Sequence, residues 1–132
     1  MPIITAWAII IDNIDNKKKI LLVKRASDKK LFPNAWSFPG GKLEKWESLD
    51  EAVVREVKEE TWLDLVSFEK YSFNGNTPQN TWSINHLYIG KAEWILIPET
   101  EAKRYSYDEL KWLEIAFNQT EIIEKLHNDW TL

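Results

Sequence analysis

The segment "SLDEAVVREVKEET", residues 48–61, constrains this chain more than any other. Ser48 stands three residues before Glu51, the capping-box spacing in which each side chain satisfies an orphan backbone N–H of a first helical turn. Leu49, Ala52, Val53 and Val57 then recur at helical spacing and mark one apolar face. This pattern predicts a helix over residues 48–61, and a helix with one apolar face needs a partner layer to cover it.

The flanking segments supply that layer as strands. Ile3 to Ile11 is a β-branched run, and "DNIDNKKK", residues 12–19, is a polar turn into "ILLVKRA", so the two runs read as a hairpin. "AWSF" is a short extended piece inside a loop punctuated by Pro33, Pro39, Gly40 and Gly41. "LVSFEKYSF" and "WSINHLYIGKA" read as strands joined by "NGNTPQN", and "ELKWLEI" is a further short element. A last helix over residues 119–128, capped by Asn118 or Thr120, would turn Ile122, Ile123 and Leu126 inward. The expected fold is α/β (α+β), a mixed sheet between helices, in one domain covering residues 1–132.

Composition narrows the partners. The formal net charge of −4 leaves no broad basic surface, which argues against long nucleic acid and requires a metal ion or local cations for any phosphate ligand. With no cysteine, thiolate metal sites and disulfides are excluded. The apolar start "MPIITAWAIIID" has no basic leader and is too short to span a bilayer, so no membrane partner and a cytoplasmic location are expected. A monomer and a homodimer are both compatible with the sequence.

Glu56, Glu59 and Glu60 stand at i, i+3 and i+4 of the expected helix and share one face. On an isolated helix this describes a solvated acidic face. The loop "FPGGKLE" in front changes the reading, because its glycines let backbone approach a ligand closely just before the carboxylates arrive. Clustered hard oxygen ligands suit Mg²⁺, with Mn²⁺ as a substitute, holding a diphosphate. Lys24, Arg25 and Lys42 are candidate phosphate contacts; Phe73, Asn74 and Asn118 are candidates to stack on or hydrogen-bond a base. Asn118 has its second reading as a cap, and His86 reads as a packed strand residue.

These residues resemble the Nudix family. Its box is glycine, five residues, Glu, seven residues, Arg-Glu, an aliphatic, any residue, Glu-Glu, any residue, glycine, aliphatic. Here it runs through Gly41, Glu47, Arg55, Glu56, Val57, Glu59, Glu60, Trp62 and Leu63, with Trp62 in place of the last glycine. "LLVKRA" and "WSFPGGK" look like the family's flanks. The resemblance implies an α/β/α sandwich that hydrolyses a pyrophosphate bond in a nucleoside triphosphate or other nucleoside diphosphate derivative with Mg²⁺, an oxidised purine nucleotide being one candidate substrate. It also implies that Glu56, Glu59, Glu60 and the Gly41 carbonyl hold the metal, and that Glu47 pairs with Arg55. Glu109, three residues before Trp112, looks like the late glutamate that serves some members as general base. The alternative is a Nudix domain that binds a nucleotide as a sensor without catalysis.

Four glycines in 132 residues is below the usual share of about 7%, and eight tryptophans is an excess. Trp62 and Trp46 stand where the family has glycine, Trp7 and Trp94 where glycine would be unremarkable, and Trp36 and Trp112 where the family often has tryptophan. Two readings are open. The four are natural aromatic platforms or core residues, or they are glycines of a gene that reads UGA as glycine, translated as though UGA meant tryptophan.

Overall fold

The computed structural model describes residues 3–73, 83–93 and 100–132. Within them the elements follow in the order β1 (Ile3–Ile14), β2 (Lys17–Lys24), β3 (Trp36–Ser37), β4 (Gly40–Lys42), α1 (Leu49–Thr61), β5 (Leu65–Tyr71), β6 (Ser83–Ala92), β7 (Ala102–Ser106), α2 (Tyr107–Leu110) and α3 (Gln119–Asn128). Asn74 and Trp94 lie outside the described residues. None of the described helices is long and apolar enough to cross a membrane.

The sheet runs β3-β2-β1-β6-β5, with β4 also on β1 and β7 also on β2. The β1–β6 pairing is parallel and the others are antiparallel, so the sheet is mixed as expected. Strand periodicity sorts the core into two layers. Ala6, Ala8, Ile10, Leu21 and Val23 face α1, where Ala52, Val53 and Val57 are fully buried. Trp7, Ile9, Ile11, Ile20 and Leu22 face the other side and meet Ile122, Ile123 and Leu126 of α3. Burying side chains such as Val53 and Val57 stabilises by about 1.5–3 kcal/mol each, which ties the acidic helix to the sheet.

Helix α1 begins as its sequence predicts. The Glu51 N–H donates to Ser48 Oγ at 3.1 Å and the Ser48 N–H to Glu51 Oε1 at 3.0 Å. The first hairpin is tighter than the polar stretch suggests. Both strands run into it, leaving only Asp15 and Asn16 at the turn, each with positive φ (52° and 65°). Asn and Asp tolerate that conformation, and two such residues match the twist of the flanking strands.

Gly40 lets β4 approach β1. A Cβ there would lie 2.4 Å from the Ala6 carbonyl oxygen and 2.6 Å from the Trp7 ring. Through this contact the "PGG" loop is pressed between β1 and the face of α1.

The tryptophans divide by backbone. Trp46 (φ 70°) and Trp62 (φ 62°) are left-handed, as glycine positions would be, and so is Trp130 (φ 62°), which sequence reasoning did not single out. Each such non-glycine residue costs about 1–2 kcal/mol. Trp7 differs: it lies inside β1, is buried, and its indole N–H donates to Thr5 Oγ1 at 2.8 Å. It behaves as a core residue.

Candidate active site

The two ends of the box meet through Arg55. Its Nε donates to Glu47 Oε2 at 2.6 Å and its Nη2 to Glu47 Oε1 at 2.9 Å and to the Lys42 carbonyl at 3.0 Å. Nη1 reaches Glu56 Oε1 at 2.9 Å and Glu59 Oε2 at 3.1 Å. One guanidinium therefore ties the loop before α1 to the helix and neutralises part of its acidic face. The carboxylates raise the Arg55 pKa, and the Arg55 hydrogen bond lowers that of Glu47.

Glu60 is turned the other way. Its Oε1 accepts the Gly40 N–H at 3.2 Å, and burial, followed by hydrogen bonding and repulsion from Glu56, pushes its pKa up to about 9. A covered carboxyl whose pKa is raised by burial and by a second carboxyl beside it marks a place where a cation is favoured. Gly41 completes it: a Cβ at that position would lie 2.8 Å from Glu56 Oε1, so backbone reaches the carboxylate only because the side chain is absent. This donor set of hard oxygens fits Mg²⁺ or Mn²⁺. In this arrangement Arg55 holds Glu56 and Glu59, and no three acidic or histidine side chains among the described residues form a ready-made metal cage.

Beside the carboxylates lies a cleft of about 290 Å³ lined by Val23, Lys24, Glu59, Glu60, Trp62, Thr100 and Glu101. Lys24 thus shares a wall with the acidic pair. Arg25 follows it, with Nε donating to the Leu31 carbonyl at 3.1 Å and its guanidinium 4.8 Å from the centre of the Phe117 ring. Burial lowers the Arg25 pKa while the nearby Glu60 charge opposes that shift. Phe32 meets Phe117 at 5.1 Å, so an aromatic pair stands next to the cation.

Other candidates fall into place unevenly. Asn118 precedes α3 but its side chain makes no capping bond, leaving the amide uncommitted to the helix. The neighbouring Gln119 is buried instead and accepts the Phe38 N–H at 2.8 Å. Phe73 packs at the edge of the α3-side core. Lys42 is exposed, and its carbonyl rather than its ammonium enters the Arg55 network. His86 lies in β6 opposite Ala6, with its pKa lowered by burial and by Lys70.

Glu109 is not brought to the box. Its Oε1 accepts from the Ser106 N–H at 2.9 Å and from Ser106 Oγ at 3.0 Å, closing a capping box on α2 beside Lys17 and Lys19. Strand β7 explains the separation, since its Ala102 end pairs with Val23 at the cleft and its Ser106 end pairs with Lys19. Those ends stand about 13 Å apart at strand rise. Among the described residues, the acid beside β7 that lines the cleft is Glu101, just before the strand, which sequence reasoning missed. Nothing local in "ETEA" marks it, because only the pairing of the following strand with β2 brings Glu101 beside Lys24.

The domain matches known proteins along its length. The NUDIX domain model aligns with residues 2–126. Nucleoside triphosphatase NudI of Enterobacter sp. is 33% identical over 72 residues, covering 53% of this chain and 51% of that protein. The ADP-ribose pyrophosphatase of Methanocaldococcus jannaschii is 47% identical over 57 residues, covering 42% of this chain and 32% of that protein. The chain thus spans about half or less of these relatives' lengths. Among solved structures, the NUDIX domain of Shewanella oneidensis NrtR, complexed with ADP ribose, superposes with a TM-score of 0.79 at 24% identity, over 98% of this chain and 89% of that one, a likeness of fold. With its box carboxylates on α1, the Gly40–Gly41 backbone pressed against them and the family model matching nearly end to end, the chain belongs to the Nudix family.

Proposed function

We propose that this domain hydrolyses the pyrophosphate link of a nucleoside triphosphate or another small nucleoside diphosphate derivative, with Mg²⁺, or Mn²⁺ in its place. The observation that carries the reading is the contact between Glu56 and Glu60 against the Gly40–Gly41 backbone, beside a cleft that also holds a lysine. The names of the NudI and ADP-ribose pyrophosphatase relatives support the substrate class.

Glu56, Glu59, Glu60 and the Gly41 carbonyl are the proposed ligands. When bound, the dication neutralises charge on the phosphate oxygens and lowers the pKa of a bound water. The chain's own residues do the rest. Arg55 and Glu47 hold the loop and helix in register, so the ligand carboxylates keep their positions. Lys24 and Arg25 bind phosphate oxygens at the cleft edge. Glu101, on the same wall as Glu59 and Glu60, takes the proton of the attacking water. The nucleoside lies over the Phe32–Phe117 pair, with the Asn118 amide and Phe73 within the same region of the α3 side.

Release of phosphate and pyrophosphate is measured across nucleoside triphosphates, oxidised purine nucleotides and ADP-ribose in Mg²⁺, beside Glu59→Gln. Turnover on at least one compound that Glu59→Gln loses by a hundredfold or more is expected. Binding of the same nucleotides with no turnover would replace the enzyme reading by that of a sensor domain.

A further inference from the structure

Three exposed tryptophans occupy three different backbone motifs that call for glycine. Trp46 is the third residue of a four-residue turn closed by the Glu47 N–H on the Glu44 carbonyl at 3.1 Å, and it alone in that turn has positive φ. That is the type II geometry, whose third residue is glycine because a side chain clashes there. Trp62 ends α1 with a left-handed backbone while its N–H donates to the Lys58 carbonyl at 2.9 Å, the single-bond αL helix end. Trp130 follows α3 in the two-bond version: its own N–H reaches the His127 carbonyl at 3.1 Å and the Thr131 N–H reaches the Leu126 carbonyl at 2.9 Å. This is the Schellman arrangement, with the indole at the glycine position.

Among the described residues little around these side chains offsets the conformation: Trp46 is 91% exposed with Lys45 near its ring, Trp130 is 85% exposed, and Trp62 is 50% exposed. The other left-handed residues have a local reason. Asp15, Asn16 and Asn34 are types that accept this region, and Phe32 and Phe117 pack on each other, with Arg25 over the second ring. Trp36 has an extended backbone in β3 and meets Tyr105 edge-on at 5.1 Å, which is what a selected tryptophan looks like in this fold.

We propose that positions 46, 62 and 130 are glycine in the native protein, encoded by UGA, and become tryptophan only when those codons are read by a code in which UGA means tryptophan. Of the positions the sequence suggested, Trp94 lies outside the described residues and Trp7 is omitted because its backbone and packing carry no such signature; residue 130 is added. Its consequence for the site, which rests on the proposed function, is local. Glycine at 62 removes the indole from the cleft wall beside Glu59 and Glu60 and ends their helical turn without strain, so residue 62 acts as a positioning residue for both carboxylates.

The first test reads the gene. UGA at 46, 62 and 130 with UGG at 36 is the expected result. UGG at any of the three overturns the proposal, and so does UGA at 36, because UGA would then be this gene's ordinary tryptophan codon. The second test compares the chain with its W46G/W62G/W130G variant. A rise in melting midpoint of about 5 °C or more is expected, with tighter Mg²⁺ binding measured by calorimetry without substrate. An unchanged or lower midpoint overturns it. Neither the codons nor the midpoint depends on turnover, so a failure here is distinct from a failure of the hydrolase reading.

Discussion

Arg55 and Glu47 meet as a fork on a fork, Nε to Oε2 at 2.6 Å and Nη2 to Oε1 at 2.9 Å, while the third nitrogen of the same guanidinium holds Glu56 and Glu59. The pair is mostly covered, with 20% and 12% of the two side chains exposed, so it is screened less than a surface bridge. Arg55→Ala therefore leaves Glu47, Glu56 and Glu59 facing one another without a counter-charge. A loss of about 2 kcal/mol in urea denaturation is expected, discounted from a fully buried pair for the remaining exposure. Arg55→Lys recovers only part of it, because an ammonium cannot make both prongs. Since Arg55 lowers the Glu47 pKa below 4.5, this pair's stabilisation is present above that value and fades as pH falls through the depressed one.

The Glu60 carboxyl predicts a pH dependence of the opposite sign. Its pKa rises on folding from 4.5 to about 9, so the folded state holds a proton that the unfolded chain releases. The stabilisation tied to that proton is complete below about pH 4.5 and is lost as pH rises toward about 9. Without metal, the melting midpoint should decline across this window, and Glu60→Gln should flatten the decline. Adding Mg²⁺ should restore stability most at the alkaline end, because binding requires the proton to leave. A midpoint that is flat in the metal-free wild type would contradict the proton assignment.

Much of this arrangement could be read from residues in one dimension. Helix α1 was readable to within one residue because its signals are local: the Ser48–Glu51 cap, the apolar spacing and the i, i+3, i+4 carboxylates all lie in one continuous stretch. The Arg55–Glu47 pair followed from the family pattern. Glu101 and Glu109 show where such reading stops. Both precede apolar or aromatic residues in similar acidic surroundings, and only the antiparallel register of β7 on β2 decides which reaches the cleft. Register depends on long-range pairing, so no local spacing reports it. Trp130 escaped for another reason, since its glycine-like role depends on two backbone bonds at the end of α3 and not on the Nudix pattern.

That register yields a kinetic contrast. Glu101→Gln should lower kcat by about a hundredfold or more at saturating Mg²⁺ if it accepts the water's proton, with substrate KM nearly unchanged. Glu109→Gln should leave kcat within about threefold, because the side chain caps α2 at the far end of β7. The cap survives in that variant, since the Gln oxygen still accepts from Ser106, whereas Glu109→Ala should lose on the order of 1 kcal/mol of stability from the broken cap. A large kcat loss on Glu109→Gln with Glu101→Gln inert would reverse the assignment and require the β7 corner to rearrange during turnover.

Trp7 supplies a control of sign for the tryptophan substitutions. It sits in β1 opposite Gly40, packs its ring 5.6 Å from Phe117 and donates its indole N–H to Thr5 Oγ1, which in turn bonds Asn85 Oδ1 at 2.5 Å. Removing the indole empties a volume bounded by the backbone of β4 and by the α3-side core, and it leaves the Thr5 hydroxyl without one partner. Trp7→Gly should therefore cost about 3–5 kcal/mol by the usual cavity term, with further loss from glycine in a strand interior. Trp62→Gly should move stability the other way, because there the substitution relieves a left-handed backbone at a half-exposed side chain. Equal signs for the two substitutions in the same denaturation assay would show that burial and backbone conformation do not separate the tryptophans as this fold implies.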